Sequence, residues 1–83
     1  METIIIEITL GNTGDVAEFM LPAHVPIRSL TQDIAQLVEQ VNLSVAFDRE
    51  SIVLFDLDRS ILLQQDWTLA QNGVRDSSRL MIL

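Results

Sequence analysis

Residues 4–21 decide the fold, and they read IIIEITLGNTGDVAEFML. Apolar residues fall at every second position on both sides of residues 11–14, which is the period of a strand with one buried face. Glycine and asparagine tolerate the positive φ angles of tight turns, so GNTG predicts a hairpin turn. Pro22 ends the second strand because proline cannot donate a hydrogen bond to a ladder. The stretch therefore predicts two antiparallel strands.

One amphipathic helix is predicted after the hairpin. Its apolar stripe repeats at intervals of three and four and consists of Leu30, Ile34, Leu37, Val38 and Val41. The helix begins either at Pro26, where a missing N–H costs little, or at a capping box of Ser29 and Gln32. Asn42 is a plausible cap at its end. Because the stripe must be buried, we expect it to pack on the inner face of a sheet.

Three shorter strands are predicted in the rest of the chain, at residues 52–55, 60–63 and 79–83. A turn is expected at residues 56–59, and a short helical turn closed by Gly73 precedes the last strand. If that strand pairs parallel to the first, the result is an α+β fold of the ubiquitin-like β-grasp type. A mixed sheet of four to five strands then packs on one main helix, and residues 1–83 form a single domain.

The composition excludes several kinds of chemistry. The chain has no cysteine and no lysine among its 83 residues, and its net charge is −7. Disulfides, thiolate metal sites and lysine Schiff bases are therefore excluded. A pI near 4.2 argues against nucleic acid or anionic lipid as a partner, since phosphate binding needs clustered basic residues. Without a signal peptide or an apolar run of about 20 residues, we expect a cytoplasmic protein that does not insert into a membrane.

The polar side chains suggest no catalytic, cofactor or metal site. His24 is the only histidine, and alone it forms neither a triad nor a structural metal site. Asp56 and Asp58 lack the further ligands of a calcium loop, and aspartate is common in turns because it bonds its own backbone. We therefore expect no enzyme, cofactor or metal. Trp67 has two interpretations, a cover over the core, which is favoured, or an exposed interface anchor.

An apolar patch on the outer face of the sheet is the predicted partner-binding site. It consists of Ile52, Leu54, Met81 and Leu83. The first two residues belong to it only if Val53 and Phe55 pack inward or at the rim of the core, and a register slip of one residue would exchange the two faces. Four clustered apolar residues exceed ordinary surface scatter, which favours a protein partner or self-association.

Residues 68–80, TLAQNGVRDSSRL, resemble the last part of ubiquitin-like domains. Together with residues 21–27, LPAHVPI, they are similar to the YukD/EsaB family of type VII (WXG100) secretion systems and to the ubiquitin-like cytoplasmic domain of the EccD membrane component. Ser77 stands where that family often has glycine. The sequence ends at Leu83 without the terminal glycine pair of conjugated modifiers and sulfur carriers.

The resemblance implies a non-enzymatic adaptor or regulatory protein that acts by protein–protein contacts through the sheet face. Its partner would be a membrane component or the ATPase of the secretion machinery, at the inner face of the cell membrane. Homodimerisation through the apolar face is compatible with this role. The alternatives are a β-grasp carrier or modifier, disfavoured by the missing glycine pair, and a cytoplasmic docking domain of an EccD-type membrane component.

Overall fold

The computed structural model describes residues 2–41 and 45–83. Within them, the elements are β1 (Thr3–Leu10), β2 (Val16–Pro22), α1 (Ile27–Val41), β3 (Leu54–Asp56), β4 (Ile61–Leu62) and β5 (Arg79–Ile82). The strands form one mixed sheet in the order β2-β1-β5-β3-β4. β5 runs parallel to β1, and the other neighbours are antiparallel. This arrangement is a ubiquitin-like β-grasp, so the predicted fold is confirmed, and the parallel pairing that it required is present.

The β1–β2 hairpin forms where the two-residue period predicts it. Ile6 pairs with Phe19, and Ile8 pairs with Ala17, so the apolar positions of the two strands share the inner face. At the turn, Gly14 has a φ of 80°, and its N–H donates to the Leu10 carbonyl at 2.7 Å. Glycine adopts this left-handed conformation without steric cost, which explains why the turn follows the glycine-rich segment.

Helix α1 begins directly after Pro26. The Pro26 carbonyl accepts the N–H of Ser29 at 3.0 Å and that of Leu30 at 3.3 Å. The structure thus favours the start at Pro26 over the start at the Ser29 capping box. The predicted cap, Asn42, lies outside the described residues.

The buried face of α1 differs from the predicted stripe. Leu30, Ile34 and Val38 are buried as expected, but Leu37 and Val41 are 58% and 86% exposed, so their predicted burial is wrong. The rest of the buried face consists of Ile27, Thr31 and Ala35. The helix is rotated toward Thr31 and Ala35, and the flank that carries Leu37 and Val41 lies beside β2.

The core lies between α1 and the inner face of the sheet. Isoleucine and leucine from the three central strands fill it, and the fully covered ones are Ile6, Ile8, Leu54, Leu80 and Ile82. Burying each such side chain stabilises the fold by about 1.5–3 kcal/mol relative to exposing it. An outer-face residue of the same strands contributes far less, so its identity is free to serve another purpose.

The segment between β4 and β5 closes one end of the core. Thr68 and Gln71 hydrogen bond reciprocally, each side chain accepting the other's backbone N–H, at 3.1 and 2.9 Å. Gly73 ends this turn with a φ of 77°, and a Cβ there would lie 2.9 Å from the Arg59 guanidinium. The helical turn closed by Gly73 is therefore confirmed, and the positive φ is the reason for glycine, since the end of the flexible Arg59 side chain could shift away from a Cβ.

Candidate functional site

The outer face of the sheet carries a row of side chains that crosses all five described strands. Each member lies opposite the next in the strand register, and the row runs Val16, Thr9, Met81, Phe55, Leu62. Four of the five are apolar, and the threonine contributes a methyl group. Val16 and Leu62 at its two ends are exposed, and the three members between them are half-buried. The row is therefore a continuous apolar band that faces away from the helix.

The band widens at the β3–β5 pair. Val53 and Leu83 exchange backbone hydrogen bonds, both at 3.1 Å, which continues the antiparallel register beyond the ends of the two strands. Their side chains join those of Phe55 and Met81 on the outer face because residues two apart in a strand share a face. We call this group the outer patch, and it consists of Val53, Phe55, Leu62, Met81 and Leu83.

The predicted patch is half wrong in its composition. Ile52 and Leu54 are only 7% and 0% exposed, so neither is available to a partner. The assumption that Phe55 faces the core fails, because its pairing with Met81 places it outward. Met81 and Leu83 do lie on the outer face, as predicted.

The error has a clear physical origin. Residues 52–55 are all apolar, so no polar residue marks the solvent side of the strand. Even the next residue would mislead, because Asp56 is buried. The faces of this strand are set by its pairing with β5, which local periodicity does not reveal.

Charged side chains border the outer patch on the β1–β5 side. Glu7 lies between Glu18 and Arg79 in the register. Asp58 accepts both the backbone N–H and the Nε–H of Arg79, at 3.0 and 2.9 Å. The backbone hydrogen bond, followed by that of the guanidinium, lowers the pKa of the Asp58 carboxyl below its ordinary value. The border thus holds one arginine and three carboxylates, which gives the patch a polar rim.

Asp56 organises the turn between β3 and β4. One carboxylate oxygen accepts the N–H groups of Asp58 and Arg59 at 2.9 and 3.1 Å, and the other accepts the Arg59 Nε–H at 2.8 Å. The turn interpretation of this aspartate pair is therefore confirmed. Within residues 2–41 and 45–83, no group of three or more histidine, aspartate or glutamate side chains is arranged to hold a metal ion.

The remaining single residues of interest have structural surroundings. Trp67 is 49% exposed, so the favoured interpretation as a core cover is wrong, while its carbonyl accepts the N–H of Ile27 at 2.9 Å at the start of α1. His24 Nε2 lies 2.7 Å from Glu2 Oε1, and both side chains are exposed. Neither residue adjoins the outer patch.

A mixed five-stranded sheet in the order β2-β1-β5-β3-β4, packed on one helix, is the fold of a ubiquitin-like domain. The sequence model of the YukD family, described as "WXG100 protein secretion system (Wss), protein YukD", matches residues 3–82. This chain belongs to that family. No curated protein matches the sequence significantly.

Solved structures share the fold. The chain is similar to the ubiquitin-like domain of EccD5 from Mycobacterium xenopi, with 20% identity, a TM-score of 0.82, and coverage of 100% of this chain and 94% of that one. The ubiquitin-like domain of ECCD1 of the Mycobacterium tuberculosis type VII secretion system is 24% identical, with a TM-score of 0.78 and coverage of 100% of this chain and 99% of that one. A chain of the MycP5-free ESX-5 inner membrane complex is 18% identical, with a TM-score of 0.81 and coverage of 100% of this chain but only 21% of that one. None of the helices in the described part of the chain combines the length and hydropathy needed to span a membrane.

Proposed function

We propose that this chain is a non-enzymatic adaptor or regulatory protein of a type VII secretion system, acting through protein–protein contacts made by the outer patch. The observation that supports this role is the apolar band across the outer sheet face. Monomeric proteins rarely leave a contiguous apolar face uncovered, and such faces commonly bind other proteins. Residues 1–83 act as one ubiquitin-like domain in this proposal.

The proposed partner is a protein of the secretion machinery at the cytoplasmic face of the membrane. Membership of the YukD family and the similarity to a chain of an inner membrane complex support this location. In this proposal the partner is a membrane component or the ATPase of the machinery. Arg79 and the carboxylates on the polar rim would orient that partner, because charges at an interface rim contribute more to orientation than to affinity.

The test places a charge on the outer patch without disturbing the core. We expect Phe55→Asp and Met81→Asp each to abolish capture of secretion components by the tagged chain, and to abolish secretion of WXG100 substrates in a strain that depends on it. A carboxylate buried without a partner at an interface costs several kcal/mol of binding free energy, which is enough to lose the complex. Capture is read by mass spectrometry and secretion by immunoblot of the culture medium.

Gln36→Asp is the matched control, since it adds the same charge at an exposed position of α1. Circular dichroism and thermal unfolding establish that each variant is folded before its result is used. Normal capture and normal secretion with both folded patch variants would exclude the outer patch as the binding surface.

A second candidate function is supported by one comparison. The match within the ESX-5 complex covers only 21% of the partner structure's chain, so that chain carries much more than this fold. The present chain would then be a cytoplasmic docking domain of a longer EccD-type membrane component. The mass of the native protein, measured by immunoblot of the membrane fraction, separates the two, because a membrane component would be several times larger than 9.3 kDa.

A further inference from the structure

Strand β2 is an edge strand with open backbone groups. It lies at the end of the sheet order and is paired with β1 alone among the described strands. Asp15 O accepts the Leu10 N–H, and Glu2 O accepts the Ala23 N–H, so both ends of the ladder are hydrogen-bonded pairs. Because bonded and open residues alternate along an antiparallel ladder, Val16, Glu18 and Met20 direct their N–H and C=O groups away from β1.

An apolar groove runs beside this open edge. Two adjoining clefts, each of about 320 Å³, lie between β2 and α1 and share Phe19 and Leu37 in their walls. Val41 lines one cleft, and both helix residues are exposed. Side chains of a strand added to β2 alternate between the two faces of the sheet, so every second one would enter the groove.

Acidic side chains line both clefts of the groove. Asp15 lines one cleft, and Glu18 and Asp33 line the other. Among the described residues that line the two clefts, none is arginine or histidine. The groove therefore joins an apolar floor, an open hydrogen-bonding edge and uncompensated negative charge.

We propose that the β2 edge and its groove bind an extended peptide segment that has alternating apolar residues and basic residues at its flanks. The peptide adds as a sixth strand beside the described five, with its backbone on Val16, Glu18 and Met20 and its apolar side chains against Phe19 and Leu37. This is binding by strand addition, in which the backbone supplies affinity and the alternate side chains supply specificity. The five residues of the outer patch take no part in it, although Val16 ends the apolar band and Glu18 lies on the polar rim.

Charge decides against a second copy of this chain as the occupant. Pairing two β2 edges would bring Glu18 of one copy close to Glu18 of the other. The two molecules would also repel each other, because each has a net charge of −7. Like charges placed directly across a strand pair are destabilising. A basic peptide is instead attracted by the carboxylates of Asp15, Glu18 and Asp33.

The probe is a fluorescein-labelled peptide with a strand-length core of alternating valine and threonine and two arginines at each end. Fluorescence anisotropy measures binding, and ¹⁵N–¹H spectra of the protein locate it. We expect saturable binding with shifts at the amides of Val16, Glu18 and Met20. Replacing the arginines with glutamates weakens the affinity by about tenfold or more at low salt, and added salt reduces the difference.

Met20→Pro is the decisive variant, because it removes an outward N–H without breaking a β1–β2 hydrogen bond. We expect it to weaken binding of the basic peptide by about tenfold, while Met20→Ala leaves binding within about twofold. Leu37→Asp also weakens binding by disrupting the groove, and Leu62→Asp on the outer patch leaves it unchanged.

Four outcomes would overturn the proposal. They are the absence of saturable binding by the wild-type protein, equal affinity for the glutamate-flanked peptide, full binding by folded Met20→Pro, and shifts at the same three amides when the protein alone is concentrated. The last would identify a second copy as the occupant. Since Phe55→Asp and Met81→Asp test the outer patch by capture and secretion, and Met20→Pro tests the β2 edge by peptide binding, a negative result for one surface does not affect the result for the other.

Discussion

Ser77 adopts a backbone conformation that suits glycine. Its φ is 71°, in the left-handed region that L side chains rarely adopt. The conformation is required by two bonds to β1, since the Ser77 N–H donates to the Ile5 carbonyl at 2.8 Å and Asp76 Oδ1 accepts the Ile5 N–H at 2.8 Å. The serine therefore carries a steric cost that glycine would not.

Ser77→Gly is expected to raise the free energy of unfolding by about 0.5–1 kcal/mol. Relief of the left-handed strain contributes roughly 1–2 kcal/mol, and the added backbone freedom of the unfolded glycine offsets part of it. Urea unfolding followed by circular dichroism measures the change. Ser51→Gly is the control, because Ser51 is an exposed turn serine outside the positive-φ group and should lose stability. A loss in both variants would contradict the strain argument.

At the scale of elements, β3 shows how pairing sets the two faces of a strand. Leu54 pairs with Ile82 on the core side, and Phe55 pairs with Met81 on the solvent side. The two adjacent residues have similar hydrophobicity but opposite roles. One supports the fold, and the other belongs to the proposed binding surface.

Substituting aspartate at these two positions should therefore have very different effects on stability. We expect Leu54→Asp to lower the free energy of unfolding by more than about 4 kcal/mol, because it removes a buried side chain and places a carboxyl in the core. Phe55→Asp should lower the free energy of unfolding by about 1 kcal/mol, which is the contribution of a cross-strand pair contact. Thermal and urea unfolding of both variants check this, and similar losses would mean that β3 is registered differently.

The helix and the first hairpin show how far sequence periodicity predicts which residues face the core. In β1, the buried positions 4, 6, 8 and 10 are isoleucine or leucine and the positions between them are polar except Ile5, so the inner face was predictable. In α1, the 3.6-residue period identifies the helix but not its exact rotation, so Leu37 and Val41 were wrongly assigned to the core. Thr31 and Ala35 are buried in their place.

At the scale of the whole molecule, two carboxylates connect segments that are distant in sequence. Glu39 of α1 accepts the Phe47 N–H at 2.8 Å and pairs with Arg49, and these contacts lower the pKa of its carboxyl. Asp58 connects the β3–β4 turn to β5 in the same manner. Both carboxyls stay ionised in the folded state at pH values where the unfolded chain begins to protonate them.

The stability that these two groups contribute should therefore be lost in acid. A lowered folded pKa contributes fully above the ordinary carboxyl pKa of about 4, and the contribution falls as the pH drops below it toward the folded value. We expect Glu39→Gln/Asp58→Asn to be less stable than wild type at pH 7, with the difference shrinking below about pH 4.

Urea midpoints measured from pH 7 downward test this expectation. Asp33→Asn is the control, because among the described residues its carboxylate accepts no hydrogen bond and its change should be small throughout. A stability difference between wild type and the double variant that persists undiminished in acid would contradict the argument.

The sequence by itself determined the β1–β2 hairpin, the presence of α1, and the absence of lysine and cysteine chemistry. These follow from local periodicity, turn residues and composition, all of which act over a few neighbouring residues, whereas the β-grasp required the further assumption that the last strand pairs parallel to the first. Only the tertiary structure decided the outward side of β3, the rotation of α1 and the exposure of Trp67. Each of these depends on which distant segment packs against the residue, and a continuous apolar run such as residues 52–55 does not encode that choice locally.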